Sequence, residues 1–277
     1  MNILIIGYGI VGHNLEKELS RLKPDTYDVK DVLDNRKSHY DFAFICVDTP
    51  YVSEKNPCDL TYVKAALKQN NADIFIIKSA ILPGTVDKLK AETGKRIIVS
   101  PEYYGNTQHC NNFEFNFTIL GGDKEDCLKV QQMLQNAYDG RHTFHIVDAK
   151  TAELVKYMEN SWLATKVSFC NQFYDIAQKC NVDYETLREL FILDPRVNPS
   201  HTFVYKDKDY WSSHCLDKDV PAIANTYNAE LLKNIIEFNN KRKKEWGLTS
   251  SFFAKLNDKI VIGLFLIPKT KRTKGEK

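Results

Sequence analysis

The chain has 277 residues, enough for one large domain or two ordinary ones, and its 43% hydrophobic and 27% charged content is that of a globular protein. A formal net charge of +2 gives no electrostatic footprint for nucleic acid, and the late apolar run from Ile260 to Pro268 is far too short to span a bilayer. Seven cysteines, odd in number and without a C-x-x-C, argue against a disulfide framework or zinc knuckle, and His142 and His145 lack the neighbours a metal site needs.

The order of elements begins with Ile3-Leu4-Ile5-Ile6, an apolar run that breaks into Gly7-Tyr8-Gly9-Ile10-Val11-Gly12 and then into helix formers. Strand, tight turn and helix in that order predict a dinucleotide cradle, with a glycine turn that merely packs tightly as the bland alternative. The first glycine supplies an unusual φ, the second admits a pyrophosphate, and the third lets helix and strand pack closely. The free N–H groups of the helix start then face the phosphates. A chain that opens on such a strand leaves no room for a secretory leader, so a cytoplasmic location is expected.

A second short strand is expected within Thr26 to Leu33. An acidic residue near its end holds the adenosine ribose; Asp28 fits that spacing best, with Asp31 and Asp34 as alternatives, and favours NAD over NADP despite Arg36. Further strands are read at Phe42 to Val47, Ile74 to Ile77, Arg96 to Val99, Asn116 to Leu120 and Phe144 to Val147. Helices alternate with them, which predicts a parallel sheet covered on both faces. Val47, Thr49, Pro50 and Ser79 follow strand ends, where such folds build their cofactor crevice.

From Ala152 to Ala177 the chain is helical, and its apolar residues surround most of the cylinder, so the helix is expected to be buried on more than one side. Lys156 and Asn160 share one face of it; a structural salt bridge or a snorkelling lysine is the bland explanation for the first. Asp183 to Leu193 is a further helix. Cys215 stands at the mouth of another, expected to run to about Trp246, and a thiol there beside Lys218 should have a lowered pKa.

Together the glycine turn, Val47-Asp48-Thr49-Pro50, the Lys78 to Thr85 string, Ser100-Pro101-Glu102, Ala152-Glu153-Leu154-Val155-Lys156 with Asn160, and Cys215-x-x-Lys218-Asp219 resemble the UDP-glucose and GDP-mannose dehydrogenase family. The resemblance implies a Rossmann-type, doubly wound α/β domain over residues 1–148 and an all-helical central domain over 149–246. It also implies a remnant of a nucleotide-sugar domain over 247–277, in which Lys259 to Lys269 would be a first strand. It further implies NAD as cofactor, a nucleotide sugar such as UDP-glucose as substrate, and a homodimer built on the long central helix. Family members oxidise a sugar C6 alcohol twice. On that template Cys215 is the nucleophile, Lys156 stabilises oxyanions, Asn160 positions the sugar oxygen and water, Asp219 orients that group, Lys218 lies by the thiol and cofactor, and Glu102 serves acid–base work. Ala80 replaces a usual threonine, Asn106 a usual glutamate, and Ser212-Ser213 a usual glycine pair, which predicts slowed hydrolysis. A non-catalytic dinucleotide-binding or interaction module is the competing expectation.

Overall fold

The computed structural model describes residues 1–29, 36–104, 115–138, 140–205 and 208–264, with backbone alone for 248–264. Seven strands among these residues form one sheet: β1 (Ile3–Ile6), β2 (Asp25–Tyr27), β3 (Tyr40–Ile45), β4 (Ala72–Ile77), β5 (Ile97–Val99), β6 (Phe117–Gly121) and β7 (Thr143–Val147), in spatial order β2-β1-β3-β4-β5-β6-β7. Helices α1 (Ile10–Glu18), α2 (Thr61–Gln69), α3 (Thr85–Thr93) and α4 (Lys124–Leu134) connect them.

Alternation decides the layering, because successive strand residues point to opposite faces. Leu4, Ile6, Ala43, Ile45, Phe75 and Ile77 pack with Val63 and Leu67 of α2 and with Val86 and Leu89 of α3. Ile3, Ile5, Phe42, Phe44, Ile74 and Ile76 pack with Leu15 of α1 and with Val130 and Leu134 of α4. The order reverses between β1 and β3, the place where doubly wound sheets open a ligand crevice at their carboxyl ends.

One strand pairing departs from the expected parallel sheet. β6 pairs parallel with β7 but antiparallel with β5, and the two meet only through Val99 and Gly121, their last residues. That meeting point is also where the helical part begins. A side chain at Gly121 would sit 2.3 Å from the Ala152 Cβ, so glycine is what lets the long helix α5 (Ala149–Lys179) lie directly on the sheet.

After α5 come α6 (Tyr184–Phe191), α7 (Leu216–Thr226) and α8 (Glu230–Leu264). The expected single helix from the cysteine to Trp246 is therefore two. Asn228 takes the left-handed conformation at φ 49°, and the Ala229 N–H bonds the Ala224 carbonyl at 2.9 Å, a helix-ending pattern that asparagine tolerates. The run from Lys259 expected as a strand is helical as far as Leu264, and 265–277 lie outside the described residues. A short apolar run does not distinguish strand from helix by periodicity.

The α5 surface also differs from expectation. Leu163 and Val167 pack inward around Ala164, Trp211, Leu216 and Val220, whereas Leu154, Met158, Trp162, Phe169, Phe173 and Ile176 share an exposed face, with Met158 73% and Trp162 60% accessible.

Glu153, 1% exposed on α5, accepts from the Gly84 N–H at 2.5 Å and the Val86 N–H at 2.8 Å, so the helical part caps the start of α3, which has no side-chain cap of its own. Burial outweighs those two donors and raises its pKa from the ordinary 4.5 to about 7. The folded protein therefore holds this proton more tightly than the unfolded chain. Stability from this group is full below pH 4.5 and declines as pH rises toward 7, by roughly 3 kcal/mol at most. Urea midpoints at pH 5 and pH 8 should show this decline in the wild type and lose it in Glu153→Gln; Glu153→Ala, which orphans two amides, should cost about 2 to 4 kcal/mol at pH 5 and less at pH 8, where the wild type has itself declined.

Candidate functional site

The glycine turn is built by close approach. Gly7 has φ 91°, and a Cβ there would meet the Cys46 carbonyl oxygen at 2.7 Å; a Cβ on Gly12 would lie 2.1 Å from the Gly7 oxygen. These two glycines let α1 start against the exit of β1. Gly9 is different, because a Cβ there would meet nothing within 4 Å. The opening lies in front of an α1 N-terminus that carries no side-chain cap. An uncapped helix start facing open space fits a pyrophosphate, and Tyr8, Ile10 and Val11 complete the turn.

Asp28 follows β2 directly and accepts from the Tyr8 N–H at 2.9 Å, which sets its carboxylate beside the glycine turn. Asp31 and Asp34 lie outside the described residues. Arg36 stacks over the Tyr27 ring at 3.7 Å and donates to Asn70 at 2.7 Å, so its guanidinium is engaged there. The Tyr8 hydroxyl donates to Glu16, turning the ring along α1.

On the other side of the crevice, Ser79 donates to the Val47 carbonyl at 2.5 Å, and Thr49, buried beside Pro50, donates to the Ala80 carbonyl at 2.7 Å. These hydroxyls stitch together the loops that leave β3 and β4. Lys218 reaches the same Thr49 hydroxyl at 3.4 Å, joining the crevice to α7.

The helical wall holds the remaining candidates. Asp219, 2% exposed, accepts from Asn160 at 2.7 Å and from Lys218 at 2.6 Å. One carboxylate thereby fixes two donors from different elements. Lys156 is buried, pairs with Glu159 at 2.8 Å and lies over the Tyr103 ring at 4.9 Å. Burial by itself would lower its pKa, but the charges of Glu102 and Glu159 outweigh burial and hold it above its ordinary value. Glu102 accepts from the Tyr104 N–H at 2.7 Å.

Cys215 is the N-cap of α7, half-buried, with its electrostatic partners Glu102, Asp219, Lys156 and Lys218 around it. Its pKa corrects the expectation from sequence. Burial pushes the thiol up, the carboxylates of Glu102 and Asp219 add to that, and the two lysines offset only part. In this state the sulfur keeps its proton at neutral pH.

Ser212 and Ser213 have a visible purpose. Ser212 donates to Asp217 at 2.9 Å, and the Leu216 N–H donates to Ser213 at 3.1 Å, so the serines tie down the first turn of α7. Asn106 lies outside the described residues. Sequence reasoning missed Glu159 and Tyr103, the immediate company of Lys156; the i, i+3 spacing of Lys156 and Glu159 was the available signal. It also missed the Asp48–His214 contact at 3.1 Å, which spans 166 residues and has no local signature. Among the described residues no group of His, Cys, Asp and Glu could hold a metal ion, and no helix is long and apolar enough to cross a membrane.

Comparison with known proteins agrees with this geometry. The model of the UDP-glucose/GDP-mannose dehydrogenase family NAD binding domain matches residues 8–140, and that of the family's central domain matches residues 150–241. Among curated relatives, UDP-N-acetyl-D-mannosamine dehydrogenase of Methanocaldococcus jannaschii is 30% identical over 213 residues, 72% of this chain and 48% of the relative. UDP-glucose 6-dehydrogenase of Rickettsia prowazekii is 26% identical over 238 residues, 80% of this chain and 54% of the relative. The chain thus spans about half the length of the curated relatives it matches. A solved UDP-glucose dehydrogenase from Pyrobaculum islandicum shares the fold with TM-score 0.72 at 20% identity, over 87% of this chain and 68% of that one. The cofactor of the first domain is NAD. With the NAD binding and central domain models matched in order across the crevice and the Cys215 wall, the chain belongs to the UDP-glucose/GDP-mannose dehydrogenase family.

Proposed function

We propose that the chain is an NAD-dependent nucleotide-sugar 6-dehydrogenase, with UDP-glucose the first substrate to test and the cytoplasm its place of action. The observation that carries this reading is the meeting of Cys215, Lys156, Glu102, Asn160 and Asp219 at the wall facing the crevice, where Lys218 links α7 to Thr49. Domain boundaries near 148 and 246 go with it.

Bound NAD supplies the hydride acceptor for each of the two oxidations. The chain's own residues do the rest. Gly9 and the start of α1 take the pyrophosphate, and Asp28 takes the ribose hydroxyls. Val47, Thr49, Pro50 and Ser79 line the crevice that would hold the rest of the dinucleotide. Once the C6 alcohol has become an aldehyde, the Cys215 sulfur bonds its carbon and the thiol proton passes to the carbonyl oxygen, giving a thiohemiacetal. Loss of a hydride from that carbon and a proton from its hydroxyl leaves a thioester. Water then adds to the thioester, Glu102 accepts its proton, and the carbon–sulfur bond breaks to release the acid and restore the thiol. Lys156, held cationic by its carboxylate neighbours, stabilises the oxyanion at each addition. Asn160, fixed by Asp219, presents its amide to the sugar oxygen and the water.

A raised Cys215 pKa fits this order of events. A neutral thiol waits until carbonyl and lysine are both in place, rather than reacting with whatever enters.

The exposed face of α5 belongs to a homodimer. Six large apolar side chains on one helix face are too much to leave in water, and a second copy provides the matching surface. Sedimentation at tens of micromolar should show a dimer, as an interface of about 1,600 Å² provides. Trp162→Glu should give monomers.

Gly9→Val should fold normally, because a Cβ there meets no protein atom within 4 Å, while abolishing NAD binding by calorimetry. Unchanged affinity would move the dinucleotide elsewhere.

With Ala80 and Asn106 in place of a hydroxyl and a carboxylate, the release step should be slow by about 10²- to 10⁴-fold, the usual worth of general-base assistance. Rapid mixing with UDP-glucose and excess NAD should give an NADH burst near two per site, with a sugar adduct on Cys215 in intact-mass spectra. Linear NADH without adduct would refute this, and Asn106→Glu should shorten the adduct's lifetime.

A further inference from the structure

Lys78 stands at the end of β4, and its ammonium is buried. Among the described residues it makes no ion pair. Its contacts are the Ser100 hydroxyl at 3.2 Å and the Pro101 carbonyl at 3.5 Å. Methionine would fill the same space without taking a charge out of water, so the ammonium needs a reason. Burial pushes its pKa down, and the more distant charges of Glu18 and Glu102 offset only part of that, with Lys156 opposing.

The two acceptors lie in the turn Ser100-Pro101-Glu102-Tyr103-Tyr104. Tyr103 and Tyr104 are also held from outside it, and Glu102 from within. Tyr103 lies under Lys156, the Tyr104 hydroxyl faces the Glu18 carboxylate of α1, and the Tyr104 N–H donates back to Glu102. Lys78 grips the turn on the side where it leaves β5, just past the last ladder bond, from the Ser100 N–H to the Ile77 carbonyl at 2.8 Å. We propose that Lys78 is a positioning residue, which holds the Ser100–Pro101 backbone through its ammonium donors and so aims the Glu102 carboxylate at the water that attacks the Cys215 thioester. The inference rests on the reading of Glu102 as proton acceptor.

It predicts that donors at position 78 matter more than volume. In Lys78→Met, hydrogen exchange of the peptide covering residues 99–104 should quicken roughly three- to tenfold, the factor that one net hydrogen bond contributes. NAD affinity by calorimetry should stay the same, and turnover should fall in kcat with KM for NAD unchanged. In Lys78→Gln, whose amide keeps a donor without charge, exchange should return toward wild type. If Lys78→Met does not fold, Ser100→Ala, which deletes one acceptor, should loosen the same peptide in the same direction. Unchanged protection in Lys78→Met or in Ser100→Ala, or equal loosening in Lys78→Gln and Lys78→Met, would overturn the proposal. A loosened turn in a protein that oxidises no nucleotide sugar would leave the positioning role standing and remove the enzymatic reading instead.

Discussion

Asp219 is 2% exposed, and a carboxylate so far out of water must be met by donors. Those donors come from α5 through Asn160 and from the preceding residue, Lys218, which also reaches Thr49 beyond β3. The same requirement repeats along the contact between sheet and helices. Glu153 of α5 is satisfied by two amides at the start of α3, and Lys78 by the turn after β5. Buried charge, whose partners lie on other elements, is what selects the contacts the helical wall makes at the crevice. Removing one partner leaves the other buried and unpaired, so the register is strongly specified.

Those charges act over a scaffold that apolar packing has already fixed. Two interleaved sets of strand side chains, one toward α2 and α3 and the other toward α1 and α4, give the sheet its two covered faces. Gly121 then admits α5 onto the sheet at the point where β5 and β6 meet. Lys156 and Asn160 lie one and two turns further along the same helix, so the close approach at Gly121 also carries them to the crevice. Packing positions the wall, and charge pairing selects its contacts.

The thiol shows how environment overrules a local rule. A helix start beside a lysine favours thiolate, and that expectation came from residues adjacent in sequence. In the fold Cys215 is half-buried and faced by Glu102 and Asp219, and desolvation plus two negative charges outweigh the lysines. Lys156 runs the other way. Burial would cost it its charge, but Glu102 and Glu159 preserve it. One carboxylate, Glu102, thus raises the pKa of both groups, keeping the Cys215 thiol protonated and the Lys156 amine cationic.

Features whose cause is local were legible in the sequence. The glycine turn, the alternating strand–helix order and the shared face of Lys156 and Asn160 depend on periodicity or on steric limits within a few residues, and the structure shows each of them, with Asp28 beside the turn. Features whose cause is remote were not. The reversed pairing of β6, the open apolar face of α5, the break at Asn228 and the direction of the Cys215 pKa depend on which distant segments arrive as neighbours. A hydrophobic pattern states that a side chain prefers burial but not against what, and an ionisable group's pKa belongs to the charges around it rather than to its own residue. Tertiary structure decided those outcomes, because desolvation and Coulomb interactions act through space and take no account of separation along the chain.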